Sequence, residues 1–303
     1  MAATLASASL DSWRSTGSTF DYNGQPIFYR DDGHGPALVC VHGFPTASWD
    51  WHKLWPRLSE RFRVVALDMI GFGFSAKPVK YAYSIHDQAT LHETLLQRLG
   101  LDFVHVLAHD YGDTVAQELL ARYEERRHAS IAGIKIESVC FLNGGLFPEA
   151  HRALLSQKLL RTPLGPLLAR LLSEQRFGSG MKAIFGANSR PPAEEVHALW
   201  TLVSAGDGTR VLPRLIHYID ERRRHRTRWV EALQTTRVPL RFINGADDPI
   251  SGKHMAERYR QLVPAPDVVI LDGIGHYPQL EDPEGVLRAY LDFAAPICGS
   301  AAS

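Results

Sequence analysis

Two hydrophobic periods alternate along this 303-residue chain. Short apolar runs of the kind buried on both faces of a parallel sheet occur at Ala37–Val41, Arg63–Leu67, Phe103–Leu107, Ile136–Leu142, Pro239–Asn244 and Val268–Leu271. Ser18 to Arg30 predicts two strands around Asn23-Gly24, a pair that tolerates positive φ and closes a tight hairpin. Helical spacing falls between the runs, at Trp49–Leu58, Asp87–Leu99, Gly112–Glu125 and near Glu284–Phe293, with Asp87 as a cap and Gly100 as a stop. The alternation predicts right-handed βαβ units: an α/β fold with a mostly parallel central sheet and helices on both faces. The rhythm breaks at Gly144-Gly145. Residues 146–236 carry helical patterns and almost no strand signal, which reads as an inserted helical lid (cap) over the strand ends, where open α/β sheets bind ligands. The expected division is a core of 17–145 and 237–297 interrupted by a lid of 146–236. Residues 1–16 form a loose leader and Gly299–Ser303 a frayed tail in this reading.

Composition narrows the partners. Lys plus Arg and Asp plus Glu number 33 each, so no global field recruits nucleic acid or an anionic surface. The run Glu221–Arg228 reads as a solvated helix face. The leucines of Leu154–Leu172 read as a lid face packed on the core rather than a membrane contact. No segment reaches the length of a membrane span, and Met1–Leu10 lacks a basic leader. Three scattered cysteines, Cys40, Cys140 and Cys298, exclude a disulfide framework, and the first two lie in apolar runs. Together these point to a cytoplasmic protein. The fourteen histidines show no metal-binding spacing, so neither a metal nor another cofactor is expected.

The chemistry concentrates where strands end. Ala-His-Asp-Tyr-Gly-Asp at 108–113 follows an apolar run and precedes a helix, which puts Asp110 on a sharp strand-to-helix turn that lifts its side chain off the sheet. A carboxylate there is already ionised near neutral pH and can displace a leaving group from saturated carbon. Asn244–Pro249 follows a later strand and offers Asp248 or Asp247 as an acid; the Gly-x-x-Asp spacing favours Asp248. Gly273–His276 follows the next strand and brings His276. The order nucleophile, acid, histidine is that of the α/β-hydrolase triad. After Val41, His42-Gly43-Phe44-Pro45 can aim the Phe44 amide at the site, and with the Tyr111 amide it makes an oxyanion hole. His109 is a packing residue by strand alternation. Gly71–Ser75 lacks a dinucleotide-binding spacing and reads as structural. Asp113 begins a helix, where the dipole tolerates its charge.

His42–Thr46, Ala66-Leu67-Asp68, Gly71–Ser75, His109–Asp113 with Val115–Leu120, Asn143–Gly145 and His276–Pro283 resemble the α/β-hydrolase superfamily in its epoxide hydrolase and haloalkane dehalogenase branch. Within that branch they are most similar to the mesoderm-specific transcript protein family. The resemblance implies the α/β-hydrolase fold and a two-step hydrolysis. Asp110 forms a covalent alkyl ester, and a water activated by His276, itself oriented by Asp248, then cleaves it. Dehalogenases of the branch hold halide with a tryptophan after the nucleophile and an asparagine after the His-Gly; this chain has Tyr111 and Phe44 there. Epoxide hydrolases share the His-Gly-x-Pro turn and protonate the epoxide oxygen with lid tyrosines. Here the lid supplies Tyr218, with Trp229 in the slot of a second and Tyr111 as an alternative phenol. Trp200, Phe147 and Phe185, with Trp229, are candidates for an apolar lining. The expected function is therefore an epoxide hydrolase-like enzyme acting on a small hydrophobic substrate with water. A haloalkane dehalogenase, an esterase or lactonase, and a non-catalytic binding protein on the same fold are the alternatives. No nucleic acid and no stable membrane span are expected, and monomer and homodimer are both open.

Overall fold

The computed structural model describes residues 9–300. Asn23 and Gly24 take φ of 53° and 79° and turn β1 (Ser18–Tyr22) into β2 (Gln25–Asp32). The apolar runs become β3 (Ala37–Val41), β4 (Arg63–Leu67), β5 (Phe103–His109), β6 (Lys135–Leu142), β7 (Leu240–Gly245) and β8 (Val268–Leu271). They form one eight-stranded sheet in the order β1-β2-β4-β3-β5-β6-β7-β8. β1 and β2 are antiparallel additions at one edge, and every pairing from β4 to β8 is parallel. β3 is buried along its whole length, as a central strand covered on both faces must be.

The helices are α1 (Leu10–Ser15), α2 (Trp55–Ser59), α3 (Ile85–Arg98), α4 (Tyr111–Ala129), α5 (Leu155–Leu160), α6 (Gly165–Arg170), α7 (Glu174–Ile184), α8 (Ala193–Ser204), α9 (Gly208–Leu215), α10 (Tyr218–Arg224), α11 (Arg226–Thr235), α12 (Lys253–Leu262), α13 (Pro278–Glu281) and α14 (Pro283–Ser300). β6 and β7 are sheet neighbours, so α5–α11 form an excursion between two adjacent strands. No described helix is long and apolar enough to cross a membrane.

Three expectations change. The leader is not loose from Ser9 onward: the Ser9 hydroxyl caps α1, and Trp13 is fully buried, edge-on to Trp55 and beneath the Arg30 guanidinium. The cap of α3 is Ser84, whose hydroxyl accepts the Asp87 amide, whereas the Asp87 carboxylate accepts the hydroxyls of Tyr22 and Tyr81. Residues 299 and 300 continue α14, and the rest of the expected tail lies outside the described residues, as do Met1–Ala8 of the leader.

Candidate active site

Asp110 connects β5 to α4 with φ 46° and ψ −102°, a left-handed conformation that a non-glycine residue holds only where its surroundings enforce it. The enforcement is close backbone packing. A β-carbon on Gly112 would stand 2.3 Å from the Val41 carbonyl oxygen, and one on Gly43 would stand 2.5 Å from His109 Nδ1. These two glycines let the β3 turn press against the β5 turn.

That approach brings the Phe44 amide to Asp110, where it donates to Oδ2 over 3.2 Å. Neutral His42 fixes the turn: its Nε2 accepts the Met69 amide, and burial holds its pKa down to about 3. Tyr111 is the first residue of α4, where amides have no carbonyl of the helix to bind. The structure thus brings the Phe44 amide to Asp110 and sets Tyr111 directly after it.

His276 arrives on the loop after β8. Its Nδ1 lies 2.8 Å from Asp248 Oδ2, and its Nε2 lies 3.9 Å from Asp110 Oδ2, an ion-pair distance beyond hydrogen-bond reach. Asp247 is exposed, so Asp248 is the acid that meets the histidine. All three groups are buried. Burial pulls the imidazole down, but Asp248 and Asp110 outweigh it and raise His276 to about 10. Burial raises Asp110, yet the facing His276 and then Arg222 hold it well below the ordinary carboxylate range. Asp248 is likewise lowered against its burial, by His276 and by the Asn143 amide. The two flanking carboxylates thus favour the charged form of the imidazole between them.

Several supporting residues were given no such role by the sequence, although Asn143 and Glu281 lie within its family-like motifs. Asp248 Oδ2 also accepts from Asn143 Nδ2 and from the Ser251 amide and hydroxyl. Glu281 accepts the amides of Gly186, Gly275 and Tyr277 and so ties the histidine loop to the helical excursion. His109 does more than pack: its Nε2 lies 2.8 Å from the His276 carbonyl, with burial keeping the ring neutral.

Arg222 overturns the expectation of a solvated basic run. It is 1% exposed, donates to the Asp110 carbonyl and the Thr114 hydroxyl, and sets Nη2 3.5 Å from Asp110 Oδ1. The neighbouring Arg226 and Arg228 are bound to Glu149 and to Glu118 with Glu125. Arg222 is interior and Arg226 and Arg228 bridge to acids, whereas Arg223, Arg224 and Thr227 remain exposed as expected. One signal lay within reach: Arg222 follows Tyr218 by one helical turn and covers its ring at 4.5 Å, so both side chains share one face. Asp113 is a second correction. It is fully buried at the start of α4, and burial, with the Asp110 charge beside it, pushes its carboxyl well above the usual range, a cost the sequence reading left out.

Tyr218 is buried against Phe44 and Tyr111, its hydroxyl without a hydrogen-bond partner. Burial, followed by the Asp110 charge, raises its phenol above the ordinary value. Trp229 does not stand beside it as a second donor. Its indole N–H binds Glu118 in the α4–α11 interface, because that buried acid accepts it alongside Arg228 and Arg122. Phe147 packs on Tyr259, Trp200 lies behind Phe177, and Phe185 stacks on Tyr277.

A cavity of about 160 Å³ opens onto His276 and Phe44, with Met181, Ile184, Leu212 and Ile250 among its walls. Wider surface grooves, about 630 Å³ between α4 and α11 and about 520 Å³ beside Tyr81 and His217, contain none of the groups around Asp110. Among the described residues no cluster of histidine, cysteine or acid side chains suits a metal ion.

Known proteins share this frame. A family model described as the alpha/beta hydrolase fold matches residues 36–283. The mouse (Mus musculus) mesoderm-specific transcript protein is 46% identical over 298 residues, covering 95% of this chain and 88% of the relative. LipZ of Mycobacterium tuberculosis, a proposed hydrolase, is 37% identical and covers 95% of this chain and 98% of its own length. The structure of a loop variant of haloalkane dehalogenase DbeA from Bradyrhizobium elkanii superposes with a TM-score of 0.78 at 21% identity, over 95% of this chain and 99% of the other. With its parallel sheet, helical excursion and strand-end acid and histidine, the chain belongs to the alpha/beta hydrolase family, with the mesoderm-specific transcript proteins among its relatives.

Proposed function

We propose that this protein is an epoxide hydrolase-like enzyme whose nucleophile is Asp110, working on a hydrophobic small molecule beneath a lid formed by residues 146–236, with the core in 17–145 and 237–297. The observation that carries the reading is the buried Tyr218 hydroxyl, unpartnered and packed against Phe44 and Tyr111, in the field of a strained, charged aspartate. A phenol in that place can donate a proton to the oxygen that an opening epoxide releases.

An Asp110 oxygen bonds to the epoxide carbon as the ring C–O bond breaks. Tyr218 protonates the departing alkoxide and is restored by the proton on His276, which becomes neutral. Esterification also removes the Asp110 charge that favoured the imidazolium, so His276 becomes a competent base. It takes a proton from water as the water attacks the ester carbonyl, and the Phe44 and Tyr111 amides hold the oxyanion. Release of the diol returns the carboxylate and the imidazolium. The binding of the Trp229 N–H to Glu118 argues against halide capture by that indole. We place the enzyme in the cytoplasm, since its three cysteines are unpaired.

The test is a His276→Gln variant incubated with an epoxide library and read by mass spectrometry. The expected result is a stable adduct on Asp110, because ester formation survives while hydrolysis stalls. In the wild type, a single turnover in labelled water deposits solvent oxygen in the Asp110 carboxylate. Label found only in product, or no adduct with any epoxide, overturns the reading. An adduct formed only with alkyl halides transfers it to the dehalogenase alternative.

A further inference from the structure

The leucine-rich stretch at 154–172 does not pack onto the core as its sequence suggests. Leu155 and Leu159 of α5, Leu167 of α6, and the flanking Leu164 and Leu171 stand in solvent, from 41% exposed at Leu159 to 70% at Leu155. The spacing explains it. Leu155 and Leu159 are one turn apart, as are Leu164, Leu167 and Leu171, so each helix turns one apolar ridge outward. The inner ridges do the packing: Leu154, Leu160 and Leu172 line the active-site cavity, and Ala169 is buried. α5 and α6 contact each other, which joins the outward ridges into one surface. The remaining exposed large apolar residues among those described, Phe103 and Ile131, lie at the far end of the sheet, where β5 starts and beyond the end of α4. Exposed apolar area at the catalytic end is thus concentrated on one hairpin of the lid, at the cavity rim, and a patch of that kind marks an interaction site.

Charge identifies the occupant. Between Glu149 and Glu174 the chain has no acidic residue and four cations, Arg152, Lys158, Arg161 and Arg170. Arg152, Lys158 and Arg170 are exposed, while Arg161 is paired with Asp220. A second copy docked through this face would set like charges against each other. A bilayer with anionic headgroups meets both properties: acyl chains receive the leucines, and the long basic side chains reach up to the phosphates. We propose that the α5–α6 hairpin is a docking surface for an anionic lipid bilayer, which feeds an apolar substrate from the acyl layer into the adjoining cavity. The proposal goes beyond the assignment of the reaction and does not depend on the bond cleaved.

The test is flotation of the full chain with phosphatidylcholine vesicles containing about one third phosphatidylserine, against phosphatidylcholine alone. The wild type is expected to float with the anionic vesicles and to be released by salt. Leu155→Ser/Leu159→Ser/Leu167→Ser is expected to partition about tenfold less or worse. Its melting transition stays unchanged, because these side chains contribute little to the core. Lys158→Glu/Arg170→Glu supplies a second variant with every leucine retained, and it should lose the preference for phosphatidylserine. Wild type that stays at the bottom with both vesicles, or a serine variant that floats equally well, overturns the proposal. So does a leucine-dependent dimer in sedimentation without vesicle binding, which assigns the face to a second copy. None of these readouts requires turnover, so failure here is distinct from failure of the epoxide chemistry.

Discussion

Asp110 occupies backbone geometry that costs a non-glycine residue about 1–3 kcal/mol, and its carboxylate is taken fully out of water. The surroundings offset both penalties through charge. One oxygen faces the Phe44 amide and the His276 imidazole, and the other faces Arg222. A carboxylate held this firmly in its ionised form is always available to attack, but it is a weaker base and nucleophile than a free one. The proposed reaction therefore needs help at the leaving oxygen, and Tyr218 is the one phenol within residues 146–236. Tyr218→Phe removes only that hydroxyl and leaves its ring contacts with Phe44 and Tyr111 in place. We expect Asp110 ester formation from an epoxide to slow by about a hundredfold or more, while hydrolysis of an ester already formed is little changed. Quenched single-turnover reactions that count ester and diol separately measure the split. Equal slowing of both steps would mean that Tyr218 shapes the pocket rather than moving a proton.

At the scale of elements, stability comes from where each helix finds its cover. α1 has six residues and would not persist alone, yet Trp13 anchors it between Trp55 and Arg30. Trp13→Ala should cost about 3–5 kcal/mol in denaturant unfolding, whereas a change at the exposed Arg14 should cost little. The strands were readable in the sequence because strands covered on both faces are largely apolar; β3 and β4 have the limits their apolar runs predict, as does the edge strand β8. α1 was hidden because Leu10 and Trp13 alone are too few to set a period, and the burial of Trp13 depends on partners some twenty and forty residues away. α12 was hidden similarly, since its buried Met255, Ala256 and Tyr259 are outnumbered by charges. The helical excursion was visible as a loss of strand signal, but hydrophobic spacing alone could not distinguish which leucine ridge faces inward. α5 and α6 are each six residues long with leucines on both sides, so packing decides the orientation.

In the whole molecule, four chain segments distant in sequence converge on one buried charge system, and this limits what the sequence could reveal. Asp110, Asp248 and His276 each follow a strand and were legible from their order and position, with the Gly-x-x-Asp spacing choosing Asp248 over Asp247. Arg222, Asn143, Ser251 and Glu281 act by reaching across elements, and Arg222 is masked by the arginines around it. The convergence links stability to pH in a direction that can be worked out. His276 has its folded pKa raised to about 10, so between its ordinary value and 10 the folded protein keeps a proton that the unfolded chain releases. Folding then loses stability as pH rises, by up to about 1.4 kcal/mol per pH unit from this group. The contribution is complete below the ordinary imidazole value and gone above pH 10. Other buried groups are shifted as well, including His42 and His109, which burial keeps neutral, and Asp113, whose carboxyl burial pushes well up. Comparison with His276→Gln cancels much of their effect because both proteins carry them. The stability advantage of the wild type over this variant should therefore be largest near neutral pH and shrink steadily towards pH 10. Denaturant unfolding of both proteins at a series of pH values measures it. An advantage that stays constant or grows over that interval would mean that His276 is neutral at rest, and the proton in the first step would then have to come from Tyr218 alone.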